Sequence, residues 1–183
     1  IGGQNCHEND DYGPHTGFVN SKMLKNIGAN YVIIGHSENR EKGETDKLIN
    51  QKIKSAIRSK LKVILCIGET LLEKKRGKTK LVLSKQINQC LNKVNKKTNL
   101  FIAYEPVWSI GTGKIPKIKE LEGSIKFIKS KFKKKMPKIL YGGSVSPKNI
   151  NNLKMIKDLD GFLIGGASQK SKNFIDIVKK TYN

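Results

Sequence analysis

Short apolar runs recur along the chain, and they alternate with segments of helical periodicity. The runs cover residues 1–5, 31–35, 61–68, 100–104, 138–143 and 160–166. Continuous runs of this length are typical of strands buried on both faces, as in a parallel sheet. Between them, apolar side chains at three- and four-residue spacing predict helices with one buried face. The positions on these faces are Leu83, Ile87, Leu91 and Val94, and Ile118, Leu121, Ile125, Ile128 and Phe132. Asn149, Ile150, Leu153 and Ile156 continue the pattern, and Phe174, Ile177 and Val178 mark a last helix.

Strand and helix alternate six times, which predicts an α/β fold with a parallel sheet built from right-handed units. An open doubly wound sheet needs a glycine-rich turn after its first strand, and no G-x-G-x-x-G follows an early strand here. Polar and glycine residues instead end nearly every apolar run, as expected when a (β/α)8 barrel assembles its site from many strand ends. No linker interrupts the series, so we predict a single domain over residues 1–183.

The length of 183 residues is less than the roughly 250 of a complete (β/α)8 barrel. Six strand–helix units are present where the barrel needs eight. Two more units of about 30 residues would bring the chain to roughly 245, so the sequence is expected to be incomplete.

The net charge of +21 raises the question of nucleic-acid binding. Only three of the 36 basic residues are arginines, and no aromatic residues are interleaved with the lysines as stacking platforms. The pattern favours solvated helix faces and no nucleic-acid partner, although a positive field would attract small anionic substrates.

Other classes are excluded by what the sequence lacks. No apolar run reaches the roughly 18 residues of a membrane span, and nothing reads as a signal peptide. The three cysteines show neither CxxC spacing nor a histidine at metal-ligand distance, which indicates free thiols in a cytosolic protein without a metal site.

The segment that follows the fourth run carries the first candidate chemistry. Glu105 ends an apolar strand, Pro106 halts it, and a loop with two glycines follows. A carboxylate at a strand end beneath a closing loop suits a general base shielded from water, although an ordinary solvated glutamate would fit the position as well. The predicted lid comprises Pro106, Val107, Trp108, Ser109, Ile110, Gly111, Thr112, Gly113 and Lys114.

Two further strand ends add a hydrogen-bond donor and a phosphate cradle. His36 ends the second run, and Ser37 could cap a short helix whose dipole favours a neutral imidazole; a purely structural histidine is the alternative. Gly142-Gly143-Ser144 and Gly165-Gly166 end the last two runs, where many barrels bind phosphate, although tight turns alone would also explain the glycines. Base, donor, cradle and lid together suit proton abstraction next to a carbonyl in a small phosphorylated substrate, without a metal or an organic cofactor.

Segments in order along the chain resemble the signature segments of the triosephosphate isomerase family. They read VIIGHSENR at 32–40, LCIGET at 65–70, AYEPVWSIGTGK at 103–114, YGGSV at 141–145 and DGFLIGGAS at 160–168, while GGQNC at 2–6 resembles the family's third strand. The likeness covers essentially all of the chain. It implies a (β/α)8 barrel in which strands 3 to 8 are present and the first two units are missing.

The resemblance implies an activity and its setting. The family interconverts dihydroxyacetone phosphate and D-glyceraldehyde 3-phosphate through an enediolate, in glycolysis and gluconeogenesis, as a cytoplasmic homodimer that needs no cofactor. Carried over by motif, Glu105 is the base, His36 is the neutral electrophile at the carbonyl oxygen, and Glu38 is a second glutamate that contacts a catalytic lysine.

The resemblance also implies the phosphate contacts and a subunit contact. Backbone N–H groups for the phosphate would come from Gly111, Ser144, Gly165 and Gly166. Segment 6–20 resembles the loop that reaches into a neighbouring subunit, with Thr16 near that neighbour's site.

Three departures from the family pattern matter. Asn39 replaces an arginine, which predicts the loss of a local salt bridge, and Pro116 after Ile115 would stiffen the second lid hinge. The family's first-strand asparagine and lysine have no counterpart, and one such oxyanion donor is often worth about 3–4 kcal/mol. We therefore expect residues 1–183 alone to be nearly inactive. The rival hypotheses are a non-catalytic phosphate-binding barrel fragment and a basic nucleic-acid binder.

Overall fold

The computed structural model describes residues 1–94, 100–132 and 136–182. Its strands are β1 (Gly2–Gly3), β2 (Tyr31–Ile34), β3 (Lys62–Ile67), β4 (Leu100–Tyr104), β5 (Lys138–Tyr141) and β6 (Gly161–Phe162). Its helices are α1 (Ser21–Asn26), α2 (Ser37–Glu41), α3 (Asp46–Arg58), α4 (Leu71–Lys75), α5 (Thr79–Cys90), α6 (Ile118–Ser130), α7 (Ile150–Leu153) and α8 (Ser171–Tyr182). Two short 3₁₀ turns cover Val107–Ser109 and Gly166–Gln169.

The strands follow one another in the sheet in chain order. β1 pairs with β2, β2 with β3, and β5 with β6, each in parallel. The predicted parallel α/β arrangement is confirmed, and every predicted apolar run contains a strand. Strand β4 matches its run of 100–104, whereas the other strands are shorter than their runs, as at β2, where Gly35 adopts a φ of +77°.

The first compact unit comprises residues 1–67 and 84–102. Helix α3 packs on β2 and β3, and its inward side chains Ile49, Ile53 and Ala56 are fully buried. Thr45 caps this helix, since its Oγ1 accepts the Leu48 N–H at 3.2 Å. The unit therefore holds the strand end that carries His36 against a well-capped helix.

A polar cluster centred on Arg40 ties the ends of β2 and β3 together. Arg40 Nε donates to the Gly35 carbonyl at 2.7 Å, and Nη2 donates to the Cys66 carbonyl at 3.2 Å. Nη1 lies 2.7 Å from Asp46 Oδ1, which also accepts the Cys90 thiol at 3.3 Å. Both charged side chains are largely buried, so each depends on the other for its charge to be tolerated.

The second compact unit comprises residues 68–83 and the described residues from 103 onward. Helix α6 buries Leu121, Ile125 and Ile128 as predicted. The predicted last helix is confirmed as α8, in which Ile177 is buried, whereas Phe174 and Val178 remain 41% and 39% exposed. Helix α7 and the 3₁₀ turn at Gly166–Gln169 pack against α8 and cover only part of its apolar side.

All three cysteines are buried free thiols. Burial raises the pKa of Cys6 to about 12 and that of Cys90 to about 12. Within the described parts of the chain, no helix is long and apolar enough to cross a membrane.

The Arg40 cluster yields a stability prediction. Replacing Arg40 with Met should lower the free energy of unfolding by about 3 kcal/mol, because Asp46 loses its buried counter-charge and two strand-end carbonyls lose a donor. Urea unfolding followed by circular dichroism measures the change. The exposed Arg76→Met is the control and should stay within about 0.5 kcal/mol of the parent. A loss below about 1 kcal/mol for Arg40→Met would contradict the role assigned to the cluster.

Candidate active site

Glu105 stands at the end of β4 with its side chain 3% exposed. Two glycines make room for it. A Cβ added at Gly68 would lie 1.8 Å from the Glu105 carbonyl oxygen, and a Cβ at Gly142 would lie 2.6 Å from Glu105 Oε1. Gly142 also donates its N–H to the Tyr104 carbonyl at 3.0 Å. The position of the carboxylate is therefore fixed by the backbone of these two glycines, with no side chain in between.

The predicted lid begins directly after this carboxylate, with Pro106. Gly111 and Gly113 adopt φ values of +69° and +74°, which only glycine reaches without strain, and both lie in the exposed part of the lid. Thr112 Oγ1 bonds to the Trp108 and Ser109 carbonyls at 3.2 and 3.3 Å. The lid is thus an internally bonded loop that is anchored at its buried end.

Ser109 and Ser144 hold the lid to the strand end after β5. Ser144 Oγ donates to the Ser109 carbonyl at 2.6 Å and accepts the Gly113 N–H at 3.0 Å. Ser109 Oγ donates to the Lys114 carbonyl at 2.6 Å, so Tyr141, 3.0 Å away, is the donor in its bond to Ser109. The Ser144 N–H, predicted to face a phosphate, donates to Ser109 Oγ at 3.4 Å in this structure.

Gly143 has a role that the sequence did not suggest. A Cβ there would lie 2.3 Å from Tyr141 Oη and 2.6 Å from Ser109 Oγ. Gly142 and Gly143 therefore accommodate Glu105 and the lid hydroxyls, in addition to any part they play in anion binding. Burial raises the pKa of Tyr141, which keeps this hydroxyl a donor.

Glu69 forms a second buried carboxylate beneath the lid, and sequence reasoning assigned it no role. Its carboxyl group accepts the Trp108 indole N–H at 3.1 Å and the Tyr104 hydroxyl at 3.1 Å. Its backbone carbonyl accepts the Val107 N–H at 3.0 Å. Burial raises the pKa of Glu69, and the hydrogen bond from Trp108 opposes that rise. The signal in the sequence was the Gly68-Glu69 strand end, one of several strand ends that carry polar residues.

His36 belongs to the first compact unit, where it ends β2 and caps α2. Its Nδ1 accepts the Glu38 N–H at 3.4 Å. The expectation that Ser37 caps this helix is wrong, because the imidazole takes that place and Ser37 is buried. A backbone N–H can only donate, so Nδ1 carries no proton, and a neutral imidazole then carries its proton on Nε2. The Glu38 side chain is exposed.

The remaining predicted residues lie on exposed turns. Gly165 and Gly166 are exposed, and the Gly165 carbonyl accepts the Ser168 N–H at 2.9 Å. Thr16 is exposed in the segment before α1. Among residues 1–94, 100–132 and 136–182, no group of three or more histidine, cysteine or acidic side chains is placed to hold a metal ion.

The structure thus brings Glu105, the lid and Ser144 together within the second unit, and it places His36 at a strand end in the first. Parallel strands whose carboxyl ends carry a buried carboxylate, an imidazole and a glycine-containing lid define an α/β enzyme of the (β/α)8-barrel class.

Comparisons with known proteins give the family. The family model described as Triosephosphate isomerase matches residues 1–181. The triosephosphate isomerase of Mycoplasmopsis pulmonis is 46% identical over 181 residues, which cover 98% of this chain and 71% of that protein. The enzyme of Chlorobium luteolum is also 46% identical, over 96% of this chain and 73% of its own. The crystal structure of triosephosphate isomerase from Bartonella henselae, 39% identical, covers 100% of this chain and 76% of its own with a TM-score of 0.89. The chain belongs to the triosephosphate isomerase family.

The close approach of Gly68 to Glu105 can be tested by one methyl group. Gly68→Ala should destabilise the chain by more than about 3 kcal/mol, because the added carbon collides with the Glu105 carbonyl and the backbone must shift. Gly123→Ala is the matched control: its Cβ meets open space on α6, and it should stabilise the chain by up to about 1 kcal/mol. Urea unfolding of both variants measures these changes in the free energy of unfolding. A Gly68→Ala variant as stable as the parent would show that the two backbones are not in contact.

The raised pKa of Glu69 predicts a pH dependence. A carboxyl group with a raised pKa in the folded state contributes stability below its ordinary pKa, near 4.5, and that contribution is lost as pH rises through the folded value. Glu69→Gln keeps an acceptor oxygen without a charge, so its melting temperature should rise relative to the parent between pH 4.5 and 8. Thermal unfolding across that range measures the difference. The exposed Glu41→Gln should give a constant difference, and a constant difference for Glu69→Gln would disprove the assignment.

Proposed function

We propose that this chain interconverts dihydroxyacetone phosphate and D-glyceraldehyde 3-phosphate, with Glu105 as the base that moves the proton. The observation that carries the proposal is the buried Glu105 carboxylate, which is fixed against Gly68 and Gly142 and is followed at once by the lid. A base held in this way needs little reorganisation when it takes a proton, and a closed lid would exclude water from the reacting atoms.

The reaction is a proton transfer in two halves. Glu105 takes a proton from carbon 1 of dihydroxyacetone phosphate, and the C–H electron pair becomes the C1–C2 double bond of an enediolate. The electrons of the former carbonyl bond collect on the oxygen of carbon 2. Glu105 then returns the proton to carbon 2, where the electrons of the C1–C2 double bond form the new C–H bond. The C1 hydroxyl passes its proton to the oxygen on carbon 2, so that carbon 1 becomes the aldehyde and carbon 2 carries the hydroxyl. Nothing in this scheme requires an oxidant or a cofactor.

His36 is proposed as the donor to the substrate oxygens. The Glu38 N–H occupies Nδ1, so a neutral His36 offers its proton from Nε2. A fixed donor aimed at an oxygen that gains charge lowers the barrier more than it stabilises the ground state. Glu38 would hold a lysine from the family's first strand, a residue without a counterpart among residues 1–183.

The phosphate is proposed to bind backbone N–H groups of Gly111, Ser144, Gly165 and Gly166. The Ser144 N–H now donates to Ser109 Oγ over a long 3.4 Å, a bond that a phosphate oxygen could replace with a stronger, charge-assisted one. Substrate binding would then rearrange the Ser109–Ser144 contacts that anchor the lid, which couples phosphate binding to lid movement.

We propose a homodimer formed through segment 6–20, as in the family. This segment exposes Tyr12, Phe18 and Val19 at 91%, 63% and 50%, which favours burial against a second copy with Thr16 near the partner's site. The reaction belongs to glycolysis and gluconeogenesis, so we place the protein in the cytoplasm.

The deciding experiment is a coupled isomerase assay on the chain extended at its N-terminus with the first two strand–helix units of a relative. Glu105→Gln should lower kcat by about 10²–10⁴-fold or more, because an amide cannot take the proton. Glu122→Gln on α6 is the control and should leave kcat unchanged. A Glu105→Gln effect below tenfold would remove Glu105 from the role of base.

The same assay separates the alternatives. Residues 1–183 alone should turn over far more slowly than the extended chain, since they lack the family's first-strand lysine. A phosphate-binding fragment without catalysis would bind inorganic phosphate yet give no turnover in the extended chain. A nucleic-acid binder would instead show salt-sensitive affinity for DNA.

A further inference from the structure

One ammonium group contacts both flanks of the lid. Lys74 Nζ lies 4.0 Å from the centre of the Trp108 ring, at the start of the lid. The same atom lies 2.7 Å from Glu120 Oε2, on the first turn of α6, which begins four residues after the lid ends at Lys114. Lys74 therefore connects the chain entering the lid with the helix that follows it.

Local structure fixes where this lysine starts. Lys74 lies on α4, a five-residue helix with a complete capping box. Thr70 Oγ1 accepts the Glu73 N–H at 3.3 Å, and the Glu73 carboxylate accepts the Thr70 N–H at 2.8 Å. Glu69, the acceptor for Trp108, immediately precedes the cap. The short segment from Glu69 through α4 thus supplies both the carboxylate that accepts the Trp108 indole N–H and the cation over the ring.

We infer that Lys74 is a positioning residue for the lid, which holds Trp108 and α6 in the present arrangement and so controls how readily the lid moves. Trp108 cannot change place without losing both its bond to Glu69 and its contact with Lys74. The consequence for turnover rests on the proposed function, in which the lid must open for each substrate and product. The contact itself does not depend on that function.

Trp108 makes the inference measurable because it is the only tryptophan of the chain. Its fluorescence reports directly on the lid hinge, in the 183-residue chain and without substrate. Lys74→Met keeps an unbranched side chain, one atom shorter, and removes the charge. The quenching constant of Trp108 by acrylamide should rise by about two- to fivefold, the population shift expected from losing one cation–π contact.

Two variants make the comparison sharp. Lys74→Arg should keep the parent quenching constant, because a guanidinium stacks on an indole and can pair with Glu120. Lys75→Met removes the same charge from the exposed neighbour on the same helix and should leave quenching unchanged. Circular dichroism checks that each variant retains its helices.

A second readout separates positioning from simple loss of packing. Among the described residues, the groups that face Glu69 are the Trp108 indole, the Tyr104 hydroxyl and the Lys74 ammonium. Burial raises the pKa of Glu69, and the Lys74 charge, like the hydrogen bond from Trp108, opposes that rise. The pH midpoint of Trp108 emission should therefore move upward in Lys74→Met and stay in place in Lys74→Arg. Glu69→Gln should abolish that transition in either background.

The outcomes are distinct. Unchanged quenching and an unchanged midpoint in Lys74→Met, or equal effects from Lys75→Met, would overturn the inference. If the extended chain shows no isomerase activity while the fluorescence effects appear, the proposed function fails and the positioning role of Lys74 stands. If turnover is present but Trp108 is insensitive to Lys74, only the positioning role fails.

Discussion

The second compact unit depends on a contact between two backbones with no side chain in between. Gly68 packs so closely on the Glu105 carbonyl that a single methyl group could not be inserted. Gly142 also approaches closely, because a Cβ there would lie 2.6 Å from Glu105 Oε1. Glu105, the proposed base, is therefore held by the ends of strands, and the start of the lid is held with it because Pro106 follows directly. The lid can therefore move while the Glu105 side chain stays in place.

The sequence predicted the frame of the fold well, because buried strands produce apolar runs that can be read directly. It predicted most strand ends less well, as at β2, which stops at Ile34 because Gly35 turns the chain away. It predicted helix α8, but periodicity identifies an apolar face without saying what covers it. Phe174 and Val178 have the pattern of core residues and remain partly exposed.

For the candidate site, the sequence indicates the residues that stand in recognisable motifs, and their roles stay predictions. It gives no sign of the contacts between distant parts of the chain. Arg40 joins carbonyls at 35 and 66, and Lys74 joins residues at 108 and 120. Most of these contacts link positions tens of residues apart, and for Lys74 the lysine-rich sequence offers many equivalent candidates. His36 in the place of the expected Ser37 cap shows the same limit at short range, since either side chain suits the position and only the backbone geometry decides.

The buried thiols have a consequence for how the motions of this chain can be followed. Only a thiolate reacts readily with alkylating reagents, and Cys6 and Cys90 hold their protons far above neutral pH. Each can therefore be modified only from states in which its surroundings have opened. The two thiols lie under different elements, with Cys90 on α5 against Asp46 and Cys6 at the start of the exposed segment 6–20. Their separate alkylation rates would therefore report local unfolding at two places, one in the interior and one at the expected subunit contact. No residue of the chain needs to be changed for this measurement.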